Sequence, residues 1–158
     1  ATRSGAPIEV FENLNEIVEL SSSSAIFHEK LNSYNSLDNK FKDILRNSLE
    51  KNINSSDDLI LIAEEDNAIL GYLLASKIDR PEMFDIKNVG LIIDIFIKEN
   101  NRKKGIGELL VKESFDWFKK ENIKIVEINI TPENKSALKF WNNLNFKDFS
   151  INKYKKID

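Results

Sequence analysis

The sequence predicts a single α/β domain in which helices cover both faces of a mixed sheet. Three observations predict it: a hairpin pattern over residues 59–78, a nearly continuous apolar strand over residues 89–97, and a helical repeat opening at Ile106 that gives way to another apolar strand at residues 123–130. Strands that first pair locally and then alternate with helices need a mixed sheet, and a mixed sheet needs a helix layer on each side.

Each element follows from local pattern. Residues 1–7 carry Thr, Arg, Ser, Gly and Pro and read as a frayed start, with residues 1–6 disordered; residues 8–11 form a first strand. Leu14, Ile17, Val18 and Leu20 mark one helical face, expected to weaken at the serines 21–24. A second helix carries Phe41, Ile44, Leu45 and Leu49, with Asp38 or Asn39 available as its N-cap. Residues 59–63 are a strand, Glu65-Asp66-Asn67 a turn, and residues 68–78 the return strand; Pro81 and its polar neighbours make a loop. Residues 89–97 are apolar at almost every position, the pattern of a strand covered on both faces. Ile106, Leu109, Leu110, Trp117 and Phe118 then recur at helical spacing, with Lys and Glu on the opposite side. The strand at 123–130 is stopped by Thr131-Pro132, a short helix spans 135–144, and a last strand pair falls within 146–154.

Bulk properties narrow the function. A chain of 158 residues without internal repeat or linker is the size of one domain. No apolar run approaches the roughly 20 residues of a membrane span, and no secretory signal pattern opens the sequence, so no membrane partner is expected. The lack of Cys excludes disulfides, thiolate metal sites and a Cys nucleophile, and makes a reducing cytoplasm the natural compartment. His28 is the only histidine, which excludes a metal site built from His; it reads as surface or pocket lining, and no metal is expected. A net charge of −3 lacks the basic footprint of a nucleic-acid binder, so a small basic or neutral substrate is expected instead.

The junction Arg102-Lys103-Lys104-Gly105-Ile106-Gly107 is the most informative segment. A strand turning through a basic, glycine-bearing loop into a helix presents free N–H groups and a positive dipole end to one point, which suits phosphate. A Walker loop would follow its last Gly with Lys and Ser or Thr, but Glu108 and Leu109 stand there. A Rossmann fingerprint counted from Gly105 needs Gly or Ala at position 110, which is Leu.

The remaining pattern, Arg-x-x-Gly-x-Gly after an apolar strand, resembles the acetyl-CoA-binding motif of the GNAT (GCN5-related N-acetyltransferase) superfamily. The strand Ile92-Ile93-Asp94-Ile95-Phe96-Ile97 lies at the family's spacing from the loop. Downstream, Asn134, Ala137, Phe140, Trp141, Leu144 and Phe146 match its Asn-x-x-Ala-x-x-Phe-Tyr-x-x-Leu-Gly-Phe segment. The match covers roughly residues 88–149. It implies a GNAT-like mixed, mostly antiparallel sheet flanked by helices on both faces, and acetyl-CoA as cosubstrate. Arg102, Lys103, Lys104, Gly105, Ile106, Gly107 and Glu108 would hold its pyrophosphate. Ile95, Phe96 and Ile97, where the two central strands splay, and Asn134, Ala137 and Trp141 would flank its arm. Asn134 has a second reading as a plain helix cap.

Asp94 is the candidate for chemistry, as the only ionisable residue between Lys87 and Lys98. A buried carboxylate needs a wet cleft or a partner; a structural ion pair or a cap is the other reading. Many family members carry an acid here, and diamine acetyltransferases a Glu-Asp pair, but Ile93 stands where that Glu would be. Trp141 occupies the position of a Tyr that protonates the leaving thiolate in many relatives, a role an indole cannot take. Asn145 replaces a Gly and tolerates the same left-handed backbone. Leu31, Tyr34, Leu37 and Phe41 line an acceptor pocket or belong to the core. The expected function is direct transfer of an acetyl group to a primary amine of a small molecule or peptide. A catalytically silent acyl-CoA-binding regulatory module is the alternative, and a homodimer is compatible with the resemblance.

Overall fold

A computed structural model of the chain describes residues 2–4 and 12–158. Five strands, β1 (Thr2–Ser4), β2 (Asp58–Glu65), β3 (Ala68–Asp79), β4 (Asn88–Ile97) and β5 (Val126–Ile128), form one sheet in that spatial order. The first four are antiparallel and β4 pairs β5 in parallel, as the mixed sheet required. Helices α1 (Leu14–Leu31) and α2 (Phe41–Ile53) cover one face; α3 (Ile106–Lys120) and α4 (Lys135–Asn143) cover the other.

The strands of the hairpin alternate between two cores. Ile60, Ile62, Tyr72 and Leu74 join Leu14, Ile17, Val18 and Leu49 beneath α1 and α2, while Leu59, Leu61, Leu73 and Ala75 join Leu110, Val111, Phe118 and Trp141 beneath α3 and α4. Each large side chain enclosed this way contributes about 1.5–3 kcal/mol. Asp66 and Asn67 take φ of 50° and 62°, the left-handed pair a two-residue hairpin turn demands.

Four expectations change. Residues 2–4, read as part of a frayed start, pair as an edge strand with β2, whose outer side would otherwise lack partners. The strand expected at 8–11 lies outside the described residues. Helix α1 runs straight through the serines, because Ser22 and Ser23 return their hydroxyls to the carbonyls four residues back, at 2.7 and 3.0 Å. The strand expected over 123–130 shrinks to three residues, and the pair expected within 146–154 does not form: residues 146–158 follow without regular structure, with Phe149, Ile151 and Ile157 exposed. Asp38 takes part in the turn before α2, accepting from the Lys40 amide at 2.7 Å, although the helix itself begins after Lys40.

Helices α3 and α4 end in the same way. Asn122 and Asn145 adopt φ of 58° and 63°, and the amides of Ile123 and Phe146 reach back to the carbonyls of Phe118 and Trp141 at 2.9 and 3.1 Å. The αL tolerance expected of Asn145 is thus used. Against β4, α3 packs so tightly that a Cβ on Gly90 would lie 2.4 Å from the Phe118 ring, itself fully enclosed. Gly90→Ala should therefore cost about 1–3 kcal/mol of stability by overpacking, read as a lower urea midpoint.

Candidate active site

The site is built on an irregularity in β4. Leu74 pairs with Asp94 and Ala75 with Ile92, which leaves Ile93 as an extra residue, 48% exposed. The expectation that β4 is covered throughout fails at this residue. Strict alternation would place Asp94 beside Ile92 on the α3 face; the bulge turns it to the α1 face, with Phe96 on that side and Ile95 and Ile97 on the other. Pairing of β4 with β5 stops at the same place: Gly90, Leu91 and Ile92 lie opposite Val126, Glu127 and Ile128, and among the described residues β4 continues without a strand partner on that edge. The strands splay, as the resemblance implied, and open backbone lies between Asp94 and the start of α3.

At the far end of this edge the chain turns through Lys103, at φ 60°, and Gly105, at φ 80°, into α3. The first helical hydrogen bond runs from the Leu109 amide to the Gly105 carbonyl at 3.1 Å, so the amides of Ile106, Gly107 and Glu108 ahead of it have no acceptor within the helix. A Cβ on Gly105 would meet nothing within 4 Å, which makes the space over these amides open; that on Gly107 would press on the Phe140 ring at 3.3 Å. Gly105 is thus a glycine for conformation and Gly107 one for helix packing. Lys103 and Lys104 are exposed beside the turn. Arg102 does something else: its Nε donates to the Ile97 carbonyl at 2.9 Å and its guanidinium lies over Phe96 at 5.3 Å, facing a 570 Å³ cleft beside α1. Its charge supports the end of β4 more than the amides of α3.

Asp94 is the half-buried acid at the other end. Its Oδ1 accepts from the Ser24 hydroxyl at 2.9 Å and its Oδ2 from the Tyr72 hydroxyl. Removal from water pushes its carboxyl above the usual range. The Tyr72 and Ser24 hydroxyls, the His28 charge and the Ile95 amide pull it down without cancelling that effect. Tyr72 is pushed well above the usual phenol value, first by its own burial and then by Asp94, so it stays a hydroxyl donor at neutral pH. Neither the wet cleft nor the charge partner foreseen for Asp94 is its main support; two hydroxyls are. Tyr72→Phe should cost about 1.5–3 kcal/mol at neutral pH by removing a donor to a charged acceptor, and less in mild acid, where Asp94 is neutral; urea unfolding at the two conditions measures it.

The sequence model of the Acetyltransferase (GNAT) family matches residues 22–146. The chain belongs to the GNAT family. Solved structures share the GNAT fold over its whole length. The Bacillus halodurans BH1408 protein, in a tetramutant form, superposes with a TM-score of 0.85 at 16% identity, covering 99% of each chain. The aminoglycoside 6'-N-acetyltransferase AAC(6')-IG of Acinetobacter haemolyticus gives 0.75 at 16% identity, covering 100% of this chain and 99% of the other. An aminoglycoside N-acetyltransferase, AAC(6')-Iy, in complex with CoA gives 0.74 at 18%, covering 100% of both. An uncharacterized N-acetyltransferase of Methanocaldococcus jannaschii is 33% identical over 65 residues, 41% of this chain; the match spans 29% of that relative's length.

In this GNAT chain the second motif is largely structural. Asn134 caps α4 by accepting from the Ala137 amide at 3.1 Å, which realises the cap reading. Trp141 is 5% exposed and stands edge-on to Phe140 and Phe146, at 4.9 and 5.0 Å. Its indole packs, as expected, and belongs to the core, where the ring lies with Phe140 and Phe146. Of the four residues foreseen for an acceptor pocket, Leu31, Leu37 and Phe41 are half-buried and Tyr34 is exposed, stacked on Tyr154 at 4.7 Å. Sequence reasoning missed Ser24 and Tyr72 as partners of Asp94, and gave His28 no part beside it. The spacing of Ser24 and His28, four residues apart on one helix face, was the available signal. Among the described residues no helix is long and apolar enough to cross a membrane.

Proposed function

We propose that the chain is an acetyl-CoA-dependent N-acetyltransferase that moves the acetyl group directly to a primary amine, with no covalent enzyme intermediate. The observation that carries this reading is the continuous path along β4: open amides at the start of α3, an unpaired strand edge, and a desolvated carboxylate at its end. The amides of Ile106, Gly107 and Glu108, with Lys103 and Lys104, suit a pyrophosphate, and the open space at Gly105 admits it. Beyond Ile92 the edge of β4 has no pairing with β5, and although the Ile97 carbonyl takes Arg102 and the Ile95 amide serves Asp94, the backbone there suits alignment of an amide-bearing arm. When bound there, acetyl-CoA supplies the acetyl group as a thioester. Asp94 supplies the negative charge that draws an ammonium group in and favours loss of its proton. Alignment of two bound substrates is the main source of rate.

The CoA complex of AAC(6')-Iy and the aminoglycoside N-acetyltransferase activity named for the structural neighbours support a CoA thioester and an amine in general terms. One observation favours a second reading: with Trp141 in the core, no hydroxyl stands at that motif position to protonate a thiolate, which suits a silent acyl-CoA-binding module. A thiolate of pKa about 8.5 leaves tolerably without help, so transfer remains the preferred reading. Thermal shift tests cofactor choice: acetyl-CoA should raise Tm more than ATP or NAD does, and absence of any rise with CoA species would remove both readings.

A further inference from the structure

Asp94 does not stand alone on its wall. Ser24, which donates to it, lies on the face of α1 that also carries His28 one turn on, and Asn32 follows the helix as its C-cap in extended backbone. Asn32 in turn meets Glu133, ahead of α4, and the Tyr154 hydroxyl, each at 3.4 Å. The row therefore follows the splayed strands from Asp94 towards the segment that leads into α4. His28 is half-buried on it, with its ring edge-on to Phe27 at 5.6 Å, and its charge is felt at Asp94. Asp94 of β4 is the charged group that registers His28; Tyr72 of β3 is held on Asp94, Glu133 and the Tyr154 hydroxyl are held on Asn32, and Glu29 and Lys30 follow His28 on the chain.

Both oxygens of Asp94 already accept a hydroxyl, and a carboxylate held in that way is better suited to stabilising a neighbouring cation than to collecting a proton. The base beside it on α1 is the imidazole of His28, a side chain able both to take up and to return a proton in catalysis. We propose that His28 is a catalytic residue that takes the proton from the acceptor amine, and that Asp94 is the positioning residue that steadies the imidazolium. The inference rests on the transferase reading and deepens it. The neutral amine gives one N–H proton to the imidazole as its nitrogen bonds to the acetyl carbon. The C–S bond breaks, and the imidazolium returns the proton to the departing thiolate, so amine and thioester become amide and thiol with His28 neutral again.

A chain with one histidine gives one imidazole Cε1–H signal in proton NMR, and this reads the electrostatic influence of Asp94 on His28 without any turnover. Asp94→Asn should move that signal at neutral pH; coincident signals in the two proteins would overturn the pairing. His28→Ala should lower kcat by roughly 10²-fold or more while keeping the Tm rise with acetyl-CoA, and added free imidazole should restore part of the rate. A His28→Ala protein with unchanged kcat, or one that imidazole fails to rescue, would overturn the assignment of His28 alone. Absence of amine-dependent thiol release from the unsubstituted protein would overturn the transferase reading, and this proposal with it.

Discussion

Asp94→Asn is expected to remove most acetyl transfer while leaving the fold as stable as before, or more so, at neutral pH. The carboxylate sits out of water between the hydroxyls of Ser24 and Tyr72, and its ionisation is opposed by burial. A carboxyl whose folded titration is raised binds its proton more tightly in the folded chain than in the unfolded one. Well below the ordinary Asp value of about 3.9, Asp94 is neutral in both states and costs nothing. As pH rises through its raised folded value the ionised form destabilises the fold, and stability is lost. Asparagine keeps the shape, its amide oxygen and nitrogen can meet two hydroxyls that rotate to suit, and it carries no such loss. The Tm of the variant relative to the parent should therefore climb from mild acid to neutral pH, while kcat falls by roughly 10²-fold or more. A matched scan of Tm and initial rate against pH tests both. A variant with full activity would show that the negative charge is not needed, and one that merely unfolds would make Asp94 a structural group.

The second large effect belongs to the start of α3. Gly105→Asp should weaken binding of CoA species with a modest change in the protein by itself. Position 105 has φ 80°, a conformation that Asp adopts at modest cost, and nothing within 4 Å obstructs its Cβ. A carboxylate there serves the amides of Gly107 and Glu108 in the manner of a helix cap, and so occupies the groups meant for a phosphate. Apo stability should change by less than about 1 kcal/mol. Affinity for CoA should fall by roughly 10- to 100-fold, since like charges a few ångströms apart near a protein surface repel by a few kcal/mol before screening. Calorimetric titration of CoA into parent and variant measures it; equal affinities would place the pyrophosphate elsewhere.

Much of this was legible in the sequence, and particular residues say why. The order of strands and helices followed from periodicity, and the phosphate-binding junction from two glycines in a basic strand-to-helix turn. What stayed hidden depended on tertiary detail. The bulge at Ile93 leaves no mark in an all-apolar run, yet it decides which face Asp94 takes and hence that its partners are Ser24 and Tyr72. The four serines looked like a helix end because their propensity is weak; two of them return their hydroxyls to the helix backbone. Trp141 looked available to a ligand because aromatic residues on an amphipathic helix suit a core and a cofactor arm equally well, and only burial separates the two. Residues 146–158 carry spaced apolar positions, yet they take no regular structure and leave Phe149, Ile151 and Ile157 exposed.

The most direct test of acetyl transfer is the release of free thiol from acetyl-CoA across a panel of primary amines, with the acetylated product confirmed by mass. Amine-dependent release, one thiol for each amide formed and lost on Asp94→Asn, is the predicted result. Tight binding of acetyl-CoA with no amine-dependent release by the parent protein would contradict the transferase reading and leave a silent acyl-CoA-binding module in its place.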